Sequence, residues 1–236
     1  MKTGKILFEG IEALRAADAD IDRLISPRGE EVIALLEKYI AEIELFNPAY
    51  GLVGCAGTEE LIIKHILDSL APLGIISRIL SDVCMADNSG NFAAQIADAG
   101  SGAGLPGIPL AIAMPHCDFT LIERMGRRAG FLWNTKASVG LSNITIEEKD
   151  MEKTEGGRFS LVTFRAFKPL EPKLLTSLFK ICAKGGAIAA YRGKHEKIEH
   201  EMSQFKNSGT QWQAIPVKVP FLDEERHLLV INNSAL

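Results

Sequence analysis

Through the first third of the chain apolar residues recur at three- and four-residue steps. In EEVIALLEKYIAEIELF (30–46), Val32, Ile33, Leu36, Ile40, Ile43 and Leu45 recur at mostly three- and four-residue steps, the spacing of a helix. TEELIIKHILDSLAPL repeats the pattern after Thr58, a capping residue type followed by acids in the first turn. Residues 1 to about 80 therefore read as helices, with NPAYGLVGCAG, which holds Pro48 and three glycines, as a turn-rich linker between two of them.

From about residue 91 the texture changes to short β-rich runs separated by helical ones. Strands are expected over 93–97, 119–122, 144–147, 161–164, 187–191, 213–219 and 228–231, and helices near 106–114, 126–139, 170–182 and 195–207. Alternation at this spacing predicts βαβ units and a mainly parallel sheet covered on both faces. The last two strands, joined by PFLDEER with no helix between them, read as an antiparallel pair at the sheet edge. The prediction is an α/β, Rossmann-like seven-stranded fold over 90–236, a helical extension over 1–85 packed on it, and a boundary loop at 81–91.

At 236 residues the chain can bury a sizeable core without covalent staples. Cys55, Cys84, Cys117 and Cys182 are far apart, with no Cys-x-x-Cys pair, which fits free thiols in a reducing compartment and suggests no metal cage. The N-terminal apolar run is interrupted at Glu9, too early for a secretory signal. The most apolar window, 61–80, is broken by Lys64, His65, Asp68, Pro72 and Arg78, which a lipid-spanning helix seldom tolerates. A cytoplasmic, soluble protein with no membrane partner is expected.

The net charge of −4 provides no global basic footprint for nucleic acid. The local candidates for a footprint lie at the predicted strand ends, where Arg124, Arg127 and Arg128 follow one strand and Arg165, Lys168, Arg192, Lys194, Arg226 and His227 lie near others. His65 and Asp68, three apart on a helix, read as a satisfied surface pair, and Phe167 reads as core.

The densest signal is IADAGSGAGLPGIPLA (96–111). In a doubly wound sheet the ligand sits beyond the carboxyl ends of the strands, and the first turn is where main chain approaches it. Gly100, Gly102 and Gly104 permit that approach, and Gly107 lets the helix pack near its strand. Gly102, Gly104 and Gly107 match G-x-G-x-x-G, and Glu123 stands 21 residues after Gly102, where a dinucleotide enzyme keeps its ribose acid. Against a dinucleotide, Pro106 lacks the N–H that a helix start offers a pyrophosphate, and Asp98 places a carboxylate at the strand end. That carboxylate suits the cationic S-adenosylmethionine, with Glu123 at its ribose hydroxyls.

NPAYGL, HILDSL, DAGSGAGLPGIPLAI, TLIERMGRRAGFL, FRAFKPL, YRGK and DEERHLLVI, in this order over about residues 30–232, resemble the bacterial 16S ribosomal RNA guanine-N7 methyltransferase family, glucose-inhibited division protein B. The glycine block and the later Arg-Ala-Phe are the specific pieces. The resemblance implies a seven-stranded S-adenosylmethionine-dependent methyltransferase sheet. It implies a donor pocket of Asp98, Gly100, Gly102, Gly104, Leu105, Glu123, Met151 and Glu152, with Arg165 at the mouth of the active site. Arg192 stands where the family usually has lysine, Phe164 where it has serine, and Gly51-Leu52-Val53 where it has Asn-Leu-Thr.

The implied reaction is methyl transfer to N7 of a guanine in the decoding-region stem-loop of 16S rRNA, on naked RNA or the small ribosomal subunit, with no obligate protein partner evident. N7 carries an exposed lone pair and can attack in line without a general base. Arg165 and Arg192 are the catalytic candidates, and Arg165, Arg192, Arg226 and Arg127 the candidates for RNA. Alternative readings are a small-molecule methyltransferase, an NAD-dependent oxidoreductase and a non-catalytic RNA-binding module.

Overall fold

The computed structural model describes residues 2–86, 94–165, 169–206 and 208–233, the side chains of residues 2, 3, 84 and 86 aside. The expectations for Phe167, Lys168, the thiol of Cys84, residues 87–91 of the boundary loop and the first residue of the strand predicted at 93–97 fall outside the described residues, whereas residues 81–86, expected as part of that loop, are helical.

The N-terminal third is helical: α1 (Lys2–Ala17), α2 (Ala19–Ile25), α3 (Gly29–Tyr50), α4 (Thr58–Leu61), a π-helical turn (Ile62–Leu67), α5 (Asp68–Leu70) and α6 (Leu73–Ala86). The predicted linker is shorter than expected, because α3 runs through Pro48 to Tyr50. It stops at Gly51, whose left-handed φ of 60° lets its N–H return to the Asn47 carbonyl at 2.9 Å. The Asn47 amide then holds both backbone groups of Val53, at 3.0 and 2.9 Å. Thr58 is not the cap: Gly57 precedes the helix, and the Thr58 hydroxyl bonds Glu44 instead.

The sheet comprises β1 (Gln95–Ala99), β2 (Asp118–Glu123), β3 (Ile144–Glu148), β4 (Phe159–Arg165), β5 (Cys182–Arg192), β6 (Trp212–Val217) and β7 (Arg226–Asn232), in the order β3-β2-β1-β4-β5-β7-β6. The helices between them are α7 (Gly107–Ala113), α8 (Gly126–Val139), α9 (Pro172–Ile181) and α10 (His195–Ser203). β1 to β5 are mutually parallel, whereas β7 runs antiparallel between β5 and β6. All seven predicted strands are present, and the last two form the expected antiparallel pair, with β7 inserted inside the edge. The inner parallel strands are largely buried on both faces, as packing between two helical layers requires, whereas the edge strand β3 alternates buried Ile144 and Ile146 with exposed or half-buried polar residues.

Side-chain alternation along the strands divides the core. Ile96, Leu161, Ala187, Ala189, Leu228 and Val230 face one cluster with Leu7, Ile11, Leu36, Tyr39, Leu67 and Leu70 from the N-terminal helices. Ala97, Val162, Ile188, Ala190, Leu229 and Ile231 face the other, with Leu175, Leu178, Ile198 and Met202 of α9 and α10. The N-terminal helices thus share one core with the sheet. No helix among the described residues is long and apolar enough to cross a membrane.

Two glycines make opposite predictions about stability. A Cβ on Gly107 would meet the Leu121 side chain and lie 2.7 Å from Asp98 Oδ2, whereas one on Gly130, exposed in the middle of α8, would meet nothing within 4 Å. Gly130→Ala is expected to raise unfolding free energy by about 0.5–1 kcal/mol and Gly107→Ala to lower it by about 1–3 kcal/mol, read by urea denaturation.

Candidate active site

Between β1 and β4 the chain order of the sheet reverses direction, since β2 and β3 lie to one side of this pair and β5 to β7 to the other. A crevice opens beyond the carboxyl ends of strands at such a point. β1 delivers the glycine turn to it, and β4 ends there in Arg165.

The turn rests on the end of β2: the N–H groups of Gly100 and Ser101 both donate to the Ile122 carbonyl, at 2.8 and 3.1 Å. Its glycines divide the labour. Gly102 and Gly104 both have left-handed φ, 57° and 88°. A Cβ at Gly102 would have no neighbour nearer than 3.9 Å, so this face is open, whereas at Gly104 it would press into the Ile108 and Leu132 side chains. Gly104 packs the core and Gly102 presents bare main chain. From the opposite layer, the buried Tyr39 hydroxyl donates to the Ala103 carbonyl at 2.8 Å and holds the turn from behind.

Two buried carboxylates flank the turn. Glu123 accepts from the N–H of Gly102 at 2.9 Å and of Met125 at 2.8 Å, one on each oxygen, leaving further acceptor capacity on both. Asp98 accepts the Gly107 N–H at 3.0 Å on Oδ2, while Oδ1 is buried without a hydrogen-bond partner. Burial pushes the Asp98 carboxyl up to about 7, against the opposing pull of the Gly107 N–H and Arg165. The first amide of α7 is therefore already spent on a carboxylate, and Pro106 before it has none to offer. This is the wrong equipment for a pyrophosphate.

Across the crevice, the buried Asp68 carboxylate holds two arginines: Arg165 Nη1 donates to Oδ2 and Arg226 Nε to Oδ1, each at 3.1 Å. Arg165 Nη1 also donates to the Lys64 carbonyl at 3.1 Å, and Nη2 to His65 Nδ1 at 2.9 Å. A guanidinium has no acceptor, so Nδ1 of His65 must accept and its proton resides on Nε2, 3.4 Å from the Gly54 carbonyl. Burial and the Arg165 charge accordingly depress the His65 imidazole to about 4. Lys64 and His65 lie on the π-helical turn and Asp68 directly follows it; wide turns of this kind recur at functional sites.

These groups line a cavity of about 260 Å³ with Tyr191, Arg192 and Arg226. Tyr191, in register with Arg165, donates its hydroxyl to the Ser69 carbonyl at 2.8 Å, a second tie between strand end and helical layer. Arg192 forks onto Glu201 of α10 with two bonds of 3.1 Å and stacks over the Phe164 ring at 5.0 Å.

The predicted residues thus fall in three places. Asp98, Gly100, Gly102, Gly104, Leu105 and Glu123 gather at the ends of β1 and β2, although Gly104 and the buried Leu105 serve packing. Arg165, Arg192 and Arg226 converge on the cavity. Met151 and Glu152 form the short 3-10 turn after β3, with Met151 half-buried against the second core cluster and Glu152 exposed. Arg127 stands apart from the cavity, exposed, its guanidinium 5.3 Å over the Tyr50 ring. The reading of His65 and Asp68 as a surface pair fails: Asp68 is 6% exposed, and both side chains turn to Arg165. Their spacing showed a shared helix face but not the arginine about a hundred residues on that fills it. Glu201 and Tyr39 carried no sequence signal of their own, and Tyr191 only its place at the head of YRGK.

Removing the Asp68 carboxylate would leave two arginines without their shared anion. Asp68→Ala is expected to cost about 3–5 kcal/mol of unfolding free energy, and Asp68→Asn less, in urea titrations at neutral pH.

The model of the family GidB, rRNA small subunit methyltransferase G, matches residues 32–229. The chain is 36% identical over 215 residues to the ribosomal RNA small subunit methyltransferase G of Treponema denticola, covering 84% of this chain and 85% of the relative. It is 39% identical over 203 residues to that of Treponema pallidum, covering 84% of each. Among solved structures, a SAM-dependent methyltransferase from Aquifex aeolicus superposes with a TM-score of 0.48 at 13% identity, over 65% of this chain and 90% of that one.

Proposed function

We propose, from the premise that this chain belongs to the rRNA small subunit methyltransferase G family, that it methylates N7 of a guanine in 16S ribosomal RNA, in the decoding-region stem-loop, with S-adenosylmethionine as donor. The donor supplies an electrophilic methyl group on a positively charged sulfur. The residues at the crevice fit it: the open face of Gly102 admits a ligand to the main chain, Glu123 retains acceptor capacity for ribose hydroxyls, and the unpartnered Oδ1 of Asp98 suits a cation.

The observation that carries the N7 assignment is the state of His65. Its Nδ1 is occupied by Arg165 and its proton affinity is depressed to about 4, while the Asp68 carboxylate is shared between two guanidinium groups. The described cavity groups are thus poor acceptors for a substrate proton at neutral pH, which favours a nucleophile that has none to lose. N7 of guanine meets that condition: its lone pair forms the new bond to the methyl carbon and the bonding pair returns to sulfur. Alignment then does the catalytic work, for which oriented reactions gain up to about 7–11 kcal/mol. Since the N7 lone pair must stay free, the role left to the Arg165 guanidinium is O6 of the base or a neighbouring phosphate.

Borohydride and aniline cleave RNA at 7-methylguanosine, so 16S rRNA from a strain lacking the gene should lose one cut that the purified protein restores; an unchanged pattern rejects the substrate. Arg165→Ala is expected to lower methylation by at least about 100-fold while the donor Kd moves less than about threefold. Arg165→Lys, which keeps the charge but not the planar fork, should recover only part. Donor affinity should rise by up to about eightfold from pH 6 to pH 7.5 as Asp98 ionises, and Asp98→Asn should flatten that rise. The ligand-free protein should do the opposite and lose stability as pH rises from about 4 through about 7, because a carboxyl raised by burial binds more protons folded than unfolded.

A further inference from the structure

Arg226 is gripped on its inner side and presented on its outer one. Its Nε donates to the buried Asp68 and its Nη1 to the Glu225 carbonyl at 3.1 Å, so Nη2 is left as the outward donor. That donor meets Glu224 Oε2 at 2.9 Å, and the same carboxylate lies 3.5 Å from Lys64 Nζ on the facing π-helical turn. One anion therefore sits between two cations at the rim of the cavity, one oxygen toward each, as the two non-bridging oxygens of a phosphodiester would. That anion is 55% exposed and belongs to the connection between β6 and β7. Neither cation depends on it, since Lys64 also pairs with Glu60 at 2.8 Å and Arg226 keeps Asp68. The connection also carries Phe221, the one non-glycine residue with positive φ among those described, at 65°, with its ring 56% exposed. A bulky side chain there marks a segment held in a less favoured backbone conformation.

We propose that Lys64 Nζ and Arg226 Nη2 form a seat for a backbone phosphate of the substrate RNA, that Glu224 occupies this seat in the free protein, and that RNA binds by displacing it. The proposal rests on the assignment of RNA as substrate and adds to it a phosphate subsite with a built-in competitor. Glu224 costs affinity for every RNA, and an anion that cannot reach both cations gains too little to replace it. The seat lies beside Arg165 through their common partner Asp68, so a phosphate placed there fixes the strand relative to Arg165.

Binding of a short 16S stem-loop RNA, followed by fluorescence anisotropy across a KCl series, tests the seat on the full chain. Glu224→Gln is expected to bind RNA about three- to tenfold more tightly at low salt, as the competing carboxylate of two exposed ion pairs is lost. Lys64→Gln should weaken binding and reduce the slope of log K against log salt by about 0.7–0.9, the loss of one phosphate contact. Both side chains are more than a third exposed, and thermal unfolding of the variants should match the parent. An unchanged or weaker affinity in Glu224→Gln, or an unchanged slope in Lys64→Gln, overturns the seat. Methylation by the unaltered protein in the same assay keeps that failure distinct from a failure of the substrate assignment. Inorganic phosphate that competes with RNA equally well in the parent and in Lys64→Gln also overturns it.

Discussion

A single buried carboxylate joins the two halves of this molecule at the point where chemistry is expected. Asp68 comes from the helical layer, Arg165 from the end of β4 and Arg226 from the start of β7, and the two arginines meet the carboxylate, itself nearly closed to solvent, at 3.1 Å. Burying ions is costly, and such a cluster holds only where every charge is matched and its remaining donors are used. Here one carboxylate is shared by two guanidinium groups, and the π-helical turn adds the Lys64 carbonyl and the His65 ring as further acceptors for Arg165, while Glu224 meets Arg226 from outside. The helical layer is consequently more than a cover on the sheet, because it supplies the floor against which the strand-end arginines are oriented.

The same economy governs the glycine turn. Its conformation is over-determined from three sides: the Ile122 carbonyl beneath, Glu123 on the Gly102 amide, and the Tyr39 hydroxyl behind. A turn gripped in this way keeps its open face without a ligand, so little ordering cost remains for the moment of binding. Asp98 lies beside the turn within the electrostatic reach of Arg165, and its raised proton affinity reflects burial in a low-dielectric setting.

Legibility in the sequence followed interaction range. The change from a three-to-four-residue period to short β-rich runs located every strand, and the antiparallel end was readable from PFLDEER, which is too short for a crossover. The glycine run and Glu123 were readable because a turn and the next strand end are local in a βαβ unit. What composition and spacing left hidden was the partner of each charge. Nothing at positions 65 and 68 announces an arginine at 165, and nothing at 201 announces the fork onto Arg192. Pro48 suggested a break in a helix that in fact continues to Tyr50, because the turn signal that ends it is Gly51.

Charge pairing also explains why a protein of net charge −4 is compatible with an RNA substrate. The three arginines at the cavity each face a carboxylate of the chain itself: Asp68 for Arg165, Glu201 for Arg192, and Asp68 with Glu224 for Arg226. Such a site contributes almost nothing to the global field, and it draws polyanions weakly until some of those acids give way. The buried Asp68 and the largely covered Glu201 are in no position to yield, since each anchors a strand end. Only an exposed one can, which places selectivity at the rim of the cavity. There an RNA must offer a phosphate at the right spot, whereas at the floor the geometry is already set.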